Sequence, residues 1–173
     1  MAVAVIVEIP LPVSDQDVVR VGERNPGWRV ERIAGELILT PPSGWKSDSR
    51  SVRASVLLSN WALTAGGIVT GSQGGAKPPN GDLVSPDAAW VANDRWNALT
   101  PEEQEGFLPF APDVVVEVLS QSDSLRHLRA KCARWHAAGV GYVVLIDPYH
   151  KQIEAWGKPP APDFPTFDSI LEL

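Results

Sequence analysis

Glu117 is an acidic residue inside an otherwise apolar segment, DVVVEVL (residues 113–119). The segment is rich in β-branched residues, which is typical of a strand that is buried on both faces. A carboxylate in such a strand is costly unless it is paired or binds a metal ion. Glu117 is therefore half of a structural ion pair, part of a sheet face that is open to water, or a metal-binding or catalytic residue. A second acidic residue favours the last of these.

That second residue, Asp87, stands at the entrance to another short apolar segment, in SPDAAWV (residues 85–91). Ser-Pro-Asp alone is a common turn. On neighbouring strands, however, Asp87 and Glu117 would present two carboxylates at one sheet edge. Mg²⁺ prefers such a set, with a few carboxylates, several waters and a substrate phosphate. We therefore predict that Asp87 and Glu117 bind Mg²⁺ or Mn²⁺, which would polarise a phosphate ester and acidify an attacking water.

Lys131 is the candidate cation, on the helix predicted to follow Glu117. It belongs to a row spaced by four residues, which places the row on one helical stripe beside the apolar face: Asp123, His127, Lys131 and Trp135. From this stripe the ammonium could reach back to the strand ends. There it would orient a water or stabilise the negative charge that develops on a phosphate. The alternative is a solvated lysine on the helix surface.

A strand–helix–strand unit is predicted to position these residues. In residues 122–138, apolar side chains recur with helical spacing: Leu125, Leu128, Cys132 and Trp135. Residues 141–146 form a second buried strand, and residues 152–156 are predicted to pair with it as a hairpin. Two strands joined through a helix form a βαβ crossover, so part of the sheet is parallel and the sheet is mixed.

The helices and strands before Asp87 are predicted from helix N-cap residues, from alternating polarity along strands and from helical spacing of apolar residues. Ser14 and Asp17 have the spacing of a helix start. Polarity alternates on both sides of Ala34-Gly35, which indicates a β-hairpin. The predicted elements outside the crossover unit are a helix over residues 14–23, strands over 28–33 and 36–39, a helix over 51–63, strands over 68–70 and 88–91, and a short helix near 101–105.

Three segments of the sequence resemble the Uma2 family of restriction-endonuclease-like proteins. They are ERIAGELILTPP (residues 31–42), SPDAAWV (residues 85–91) and PDVVVEVLSQSDSLRHLRAKCARWHAAGVGYVVLIDP (residues 112–148). The resemblance spans most of residues 14–157, and the third segment is long and specific. It implies an α/β fold with a restriction endonuclease-like PD-(D/E)XK core, in which a mixed β-sheet is flanked by helices, with an N-terminal helix and β-hairpin.

The resemblance also implies which residues form the site. Asp87 is similar to the metal-binding aspartate and Glu117 to the metal-binding glutamate. The usual lysine stands two residues after the glutamate, where this chain has Leu119. In Uma2-like proteins the lysine is displaced onto the following helix, which corresponds to Lys131. The catalytic residues implied are Asp87, Glu117 and Lys131.

The segment GWKSDSRSVR (residues 44–53) departs from the family pattern. Relatives have a glutamate or histidine before the first core helix, whereas the nearest candidates here are Lys46 and Asp48. Either an acidic helper is missing, or Asp48 takes its place.

Length, charge and cysteine content limit the function classes. The 173 residues predict a single domain over 1–173, with a loose N-terminal arm (1–13) and an extended C-terminal tail (158–173). The one cysteine excludes an intramolecular disulfide and fits a cytoplasmic location. No apolar run approaches the ~18 residues of a membrane span, so no membrane partner is expected. The net charge of −6 argues against a nucleic-acid partner, although local basic patches matter more than the sum.

Two functions of different class remain after these limits. The first is a metal-dependent endonuclease that hydrolyses phosphodiester bonds of DNA, as a homodimer by analogy with nucleases that cut two strands. Its contacts to the DNA backbone would come from basic residues of two helices: Lys46, Arg50, Arg53, Arg126, Arg129 and Arg134. The second is a catalytically degraded nuclease fold that serves as a binding or oligomerisation module. A metal-dependent hydrolase of a small phosphate ester is a weaker third possibility.

Overall fold

The computed structural model describes residues 5–7 and 12–173. The strands are β1 (Val5–Val7), β2 (Arg29–Ile33), β3 (Glu36–Thr40), β4 (Ile68–Gly71), β5 (Ala88–Val91), β6 (Val114–Val118), β7 (Tyr142–Asp147) and β8 (Gln152–Gly157). The helices are α1 (Asp15–Arg24), α2 (Trp45–Ala65), α3 (Asn93–Asn97), α4 (Pro101–Glu105), α5 (Leu125–Ala137) and α6 (Asp168–Leu171). The strands form a three-stranded sheet, β1-β3-β2, and a five-stranded sheet, β4-β5-β6-β7-β8.

The five-stranded sheet is mixed, as the predicted crossover requires. β6 and β7 are parallel and are connected through α5, while the other neighbouring pairs are antiparallel. β6 is buried along its whole length, which explains why its sequence is apolar on both faces. The interruption of this strand by Glu117 therefore has to be explained by contacts inside the protein.

Each face of this sheet is covered by one long helix. Ala54, Leu58 and Trp61 of α2 belong to an apolar cluster with alternate β6 residues, Val114 and Val116. The opposite face packs against α5, in a second cluster that includes Val115, Cys132 and Trp135. Since side chains alternate along a strand, Glu117 falls on the face of Val115 and is covered by α5.

The smaller sheet is joined to the chain segment just before Asp87. Arg32 of β2 forms a bridge with Leu83, with backbone N···O distances of 2.8 and 2.9 Å. The predicted hairpin of β2 and β3 is present, and α1 begins with the predicted capping box of Ser14 and Asp17. The bridge brings β2 beside the entrance of β5.

Both predicted termini need correction where the structure describes them. In the predicted loose arm, residues 5–7 pair with β3 as strand β1 and Val13 is buried, while residues 1–4 and 8–11 lie outside the described residues. The predicted extended tail ends in α6, and its residues Phe167 and Ile170 are buried in the core. These apolar side chains cover the α2 side of the sheet.

Two helices differ from their predicted bounds for identifiable reasons. α2 begins at Trp45, six residues before its predicted start, because its first turns lack the apolar spacing used to predict it. α5 begins at Leu125 with Ser124 as its N-cap, three residues after its predicted start at 122. The Asp123 carboxylate accepts from the Ser120 N–H (2.9 Å) in the preceding turn. No helix in the described part of the chain has the length and apolarity to cross a membrane.

Candidate active site

Asp87 and Glu117 lie on adjacent strands at one edge of the five-stranded sheet. Ala88 lies opposite Val116 in the antiparallel β5–β6 pair, so Asp87 continues this register toward Glu117. Oδ2 of Asp87 accepts a hydrogen bond from the Val118 N–H at 2.8 Å. Residues directly opposite each other in an antiparallel pair share a face. The strand pairing therefore brings the two predicted carboxylates together on the side covered by α5.

Lys131 reaches back from α5 to this sheet edge. Its Nζ donates to the Ser85 carbonyl (2.8 Å) and lies 3.1 Å from an oxygen of Glu117 and 3.1 Å from an oxygen of Glu31. The Lys131 side chain is only 11% exposed, so the alternative of a solvated helix lysine is wrong. The structure thus brings all three predicted catalytic residues to one place.

Glu31 and Arg29 of β2 complete the cluster, and no role was predicted for either. Glu31 is buried, and its Oε1 accepts from the Ser85 N–H at 2.9 Å. Arg29 Nη1 lies 3.2 Å from Asp87 Oδ1. The sequence did contain a signal, since Arg29 and Glu31 stand two apart on one strand face and Glu31 opens the first segment that resembles Uma2.

Glu31 is the third carboxylate beside Lys131 and Arg29 at this edge, and the substitution of Asp48 for an acidic helper stays a prediction. Lys46 and Asp48, the two residues considered as replacements in the 44–53 segment, are both exposed on α2. The hairpin supplies the additional carboxylate because the β2 bridge to Leu83 holds Glu31 beside Ser85.

Trp135 fixes the orientation of the Glu117 carboxylate. Its indole Nε1 donates to Glu117 Oε1 at 2.8 Å, and both side chains are buried. Trp135 lies one helical turn after Lys131, so the same stripe of α5 provides both donors to Glu117. The second carboxylate oxygen, Oε2, has Lys131 Nζ at 3.4 Å as its hydrogen-bond partner, which leaves acceptor capacity for a further ligand.

The cluster contains three carboxylates and two cations. Burial and these charges shift the pKa values of Glu117, Glu31 and Lys131. Burial raises the pKa of Glu117 to about 7, although Lys131 opposes the shift. Burial by itself would raise the pKa of Glu31 and lower the pKa of Lys131, but the neighbouring opposite charges outweigh burial at both residues. Lys131 and Arg29 lower the pKa of Glu31, while Glu117 and Glu31 raise the pKa of Lys131. Lys131 is consequently an ammonium at neutral pH.

The donor set fits a hard cation that is bound only in part by protein. Asp87 and Glu117 supply carboxylate oxygens, and Mg²⁺ is commonly held by one or two carboxylates together with water and substrate phosphates. Between residues 12 and 173, no group of three or more His, Cys, Asp or Glu side chains is arranged to hold a metal. The arrangement therefore fits an ion shared with substrate, and does not fit a cage built from side chains alone.

The six basic residues predicted to contact DNA differ in their surroundings. Arg129 forms an ion pair with Glu154 (2.6 Å), and Arg134 forms an ion pair with Asp82. Arg50 is buried. The remaining three are exposed: Lys46, Arg53 and Arg126. Contact with DNA stays a prediction for all six.

These elements define an α/β protein with a restriction endonuclease-like PD-(D/E)XK core. The fold is similar to the crystal structure of a "putative nuclease belonging to DUF820" from Anabaena variabilis, with a TM-score of 0.66 and 20% identity. The similarity covers 94% of this chain and 93% of that chain. The sequence model of Uma2, described as "putative restriction endonuclease", matches residues 15–169. The chain therefore belongs to the Uma2 family. A comparison with curated proteins finds no match.

Proposed function

We propose that this protein is a metal-dependent endonuclease that hydrolyses phosphodiester bonds of DNA. The observation that carries the proposal is the meeting of Asp87, Glu117 and Lys131 at one sheet edge. Lys131 Nζ lies 3.1 Å from Glu117 Oε1. The Asp87 carboxylate accepts a hydrogen bond from the backbone N–H of Val118, the residue that follows Glu117 on β6. Membership of a nuclease family supports a hydrolase that acts on nucleic acids.

Asp87 and Glu117 are the residues that would hold Mg²⁺ or Mn²⁺. When bound, such an ion polarises the scissile phosphate and lowers the pKa of an attacking water. The raised pKa of Glu117 reflects burial together with the nearby charge of Asp87. An additional cation would favour the ionised carboxylate, so metal binding and deprotonation of Glu117 support each other.

Lys131 acts in this proposal as a cation and a hydrogen-bond donor. Since its pKa is raised above the ordinary value, it is protonated at neutral pH and is not suited to accept a proton from water. Its ammonium would stabilise the negative charge that develops on the phosphate oxygens. Glu31 and the Ser85 carbonyl hold the ammonium in place, and Arg29 orients the Asp87 carboxylate.

Plasmid cleavage tests the proposal directly. The purified protein is incubated with supercoiled plasmid and Mn²⁺ or Mg²⁺, and compared with Asp87→Ala, Glu117→Ala and Lys131→Ala. We expect cleavage by the unaltered protein and its loss in each variant. Lys151→Ala is the matched control, because Lys151 is exposed and paired with Glu172. Equal cleavage by all of these proteins would end the endonuclease proposal.

A degraded nuclease fold that serves as a binding module is the second candidate. Two observations favour it: Leu119 replaces the usual strand lysine, and Lys131 and Arg29 already pair with the two proposed metal ligands. Mn²⁺ discriminates between the two functions, because a ligand that binds only the folded state raises the melting temperature. An intact site should be stabilised by Mn²⁺ in a manner that Asp87→Ala abolishes, whereas a degraded site should show no shift.

The homodimer is part of the proposal, and the outer face of α2 supports it. Four large apolar residues are exposed there on a single line of the helix, opposite its core face: Trp45, Val52, Val56 and Leu63. Together they expose on the order of 600 Å² per copy, so a pair of copies would reach the lower range of stable interfaces. A cytoplasmic location stays a prediction.

This stripe is complementary to itself about a two-fold axis. If two α2 helices pack antiparallel about Ala54, Trp45 of one copy lies opposite Leu63 of the other, and Val52 lies opposite Val56. Ser49 and Ser59, the smaller residues of the same stripe, also face each other. A two-fold interface uses one patch of both subunits in this manner, so we take a second copy of the chain as the partner of this face.

A further inference from the structure

Arg50 is a buried cation for which the site described above gives no role. It lies on the core-facing side of α2, at helical spacing before Ala54, Leu58 and Trp61, and it is only 4% exposed. Its Nε is buried and has no hydrogen-bond partner within residues 12–173. The Cζ atom of its guanidinium lies 5.1 Å from the centroid of the Tyr149 ring.

Both Arg50 and Tyr149 lie at the sheet edge that carries Asp87 and Glu117. Tyr149 follows the end of β7, which runs parallel to β6 with Ile146 beside Val118. The C-terminal half of α2 lies at the opposite edge, where Trp61 contacts Trp90 with ring centroids 5.0 Å apart. The 11 residues from Trp61 back to Arg50 span ~16 Å of helix, whereas Trp90 to Asp87 spans only ~10 Å of strand. Arg50 therefore lies beyond the level of Asp87, on the face of the sheet that α2 covers, whereas Glu117 lies on the face that α5 covers.

The burial of Arg50 is unfavourable without an anion. Removing a charge from water is costly unless it is paired, and a ring contact such as that with Tyr149 compensates only a small part of that cost. Other arginines near the site are paired, as Arg29 is with Asp87 and Arg134 with Asp82. In the described part of the chain, no carboxylate lies within ion-pair distance of Arg50. The charge of Arg50 is thus left without a counterion among the described residues.

Two exposed basic residues extend the charge of Arg50 along the helix. Lys46 and Arg53 stand four residues before and three residues after Arg50, so all three lie on one flank of α2. Neither forms an ion pair within the described residues. A row of cations along a helix flank suits successive phosphates of a nucleic-acid backbone.

We propose that Arg50 binds a phosphate of the DNA backbone on the α2 side of the sheet edge that carries Asp87, with Tyr149 holding the guanidinium plane. The guanidinium matches a phosphate with two parallel hydrogen bonds, which a lysine cannot reproduce. Lys46 and Arg53 contact neighbouring phosphates. The inference depends on the proposed function only for the identity of the ligand as DNA, and it assigns Arg50 to binding and not to the chemical step.

DNA binding without metal tests this assignment separately from cleavage. The affinity of the full chain for a labelled DNA duplex is measured by fluorescence anisotropy in EDTA over a range of salt concentrations. We expect Arg50→Met to weaken binding at least tenfold and to reduce the slope of log K against log salt by about 0.9, the value for one lost phosphate contact. Arg50→Lys should retain most of the slope but lose affinity.

Arg24→Met is the matched control, since Arg24 is an exposed arginine on α1 and the substitution changes the net charge equally. Arg24→Met should leave the DNA affinity and the slope of log K against log salt unchanged. Equal affinity of Arg50→Met and the unaltered protein, or no DNA binding by the unaltered protein, would overturn the proposal. If DNA binding depends on Arg50 but no DNA is cleaved, the assignment of Arg50 to phosphate binding stands and the proposed endonuclease activity is wrong.

Thermal unfolding distinguishes a binding role from a structural role. Because Arg50 has no paired carboxylate, Arg50→Met should melt at the same temperature as the unaltered protein or higher. Inorganic phosphate, compared with chloride at equal ionic strength, should stabilise the unaltered protein and not the variant. A melting temperature lowered by more than ~8 °C would identify Arg50 as structural and overturn the proposal. Phosphate stabilisation together with Arg50-independent DNA binding would overturn it in favour of a small phosphate ester.

Discussion

The central feature at the residue scale is a group of charges that depend on one another. Lys131 is held by carboxylates from two different sheets, Glu117 of β6 and Glu31 of β2. Its ammonium is buried, so removal of Glu31 takes away one of the two carboxylates that stabilise it there. The chemistry predicted for Asp87, Glu117 and Lys131 thus relies on Glu31, which contributes by positioning Lys131.

We expect Glu31→Gln to reduce both stability and activity. The substitution keeps the shape but removes one of the two carboxylates next to Lys131, which should lower the free energy of unfolding by about 3 kcal/mol. Urea denaturation measures this loss, and plasmid cleavage measures the accompanying loss of rate. Glu36→Gln, at an exposed position of β3, should change neither. A Glu31→Gln protein as stable as the original would contradict the buried network.

The titration of Glu117 predicts a pH dependence of stability in the absence of metal. Its pKa is raised from the ordinary 4.5 to about 7 by burial. The folded state therefore binds more protons than the unfolded state between these values, and stability falls as pH rises. This contribution is fully present below pH ~4.5 and is lost above about pH 7, with a difference on the order of 3 kcal/mol.

Glu117→Gln should remove this contribution because the amide does not titrate. Urea denaturation in EDTA at pH 5 and pH 8 measures the difference for the original protein and for the variant. Glu102→Gln, at an exposed glutamate of α4, should retain the original pH dependence. The same dependence in Glu117→Gln would show that another group causes it.

At the scale of elements, β6 supplies the carboxylate and α5 supplies the lysine. Leu119 follows β6 and is two residues beyond Glu117, so its side chain falls on the same face. It is buried, and its N–H donates to Ile146 at 2.9 Å. An ammonium on either element should serve Glu117, provided that it reaches the same sheet edge.

We therefore expect Leu119→Lys to restore part of the cleavage activity that Lys131→Ala loses. The new lysine would stand beside Glu117 on the strand, at the cost of one buried apolar side chain. Plasmid cleavage by the double variant is compared with Lys131→Ala alone. Leu119→Met in the same background is the control, since it is of similar length but uncharged. Equal recovery by both would rule out a requirement for the ammonium.

At the scale of the whole molecule, the apolar stripe on the outer face of α2 predicts a dimer. We expect Val52→Asp to shift the protein from dimer to monomer, because two copies of the substitution would bring carboxylates into the same interface. Light scattering coupled to size-exclusion chromatography measures the mass. Val19→Asp places the same charge on another exposed valine, on α1, and should leave the dimer intact. A monomer before any substitution would contradict the prediction.

The sequence by itself determined the crossover unit and the hairpin, and it predicted Asp87, Glu117 and Lys131 as catalytic residues. Strand and helix periodicities are local properties, so the apolar spacing around Glu117 and Lys131 was enough to place them on β6 and α5. The mixed sheet followed from the same spacing. Adjacency of Asp87 and Glu117 was inferred from their residue types, and the β5–β6 register agrees with it.

Only the tertiary structure decided which groups compensate the charges of these residues. Glu31 and Arg29 enter the site because the hairpin docks against the segment before Asp87, and no local pattern specifies a contact between two sheets. The early start of α2, the burial of Arg50 and the packing of α6 arise in the same way. Each depends on segments far apart in the chain, which come together only when the apolar faces of the elements are buried.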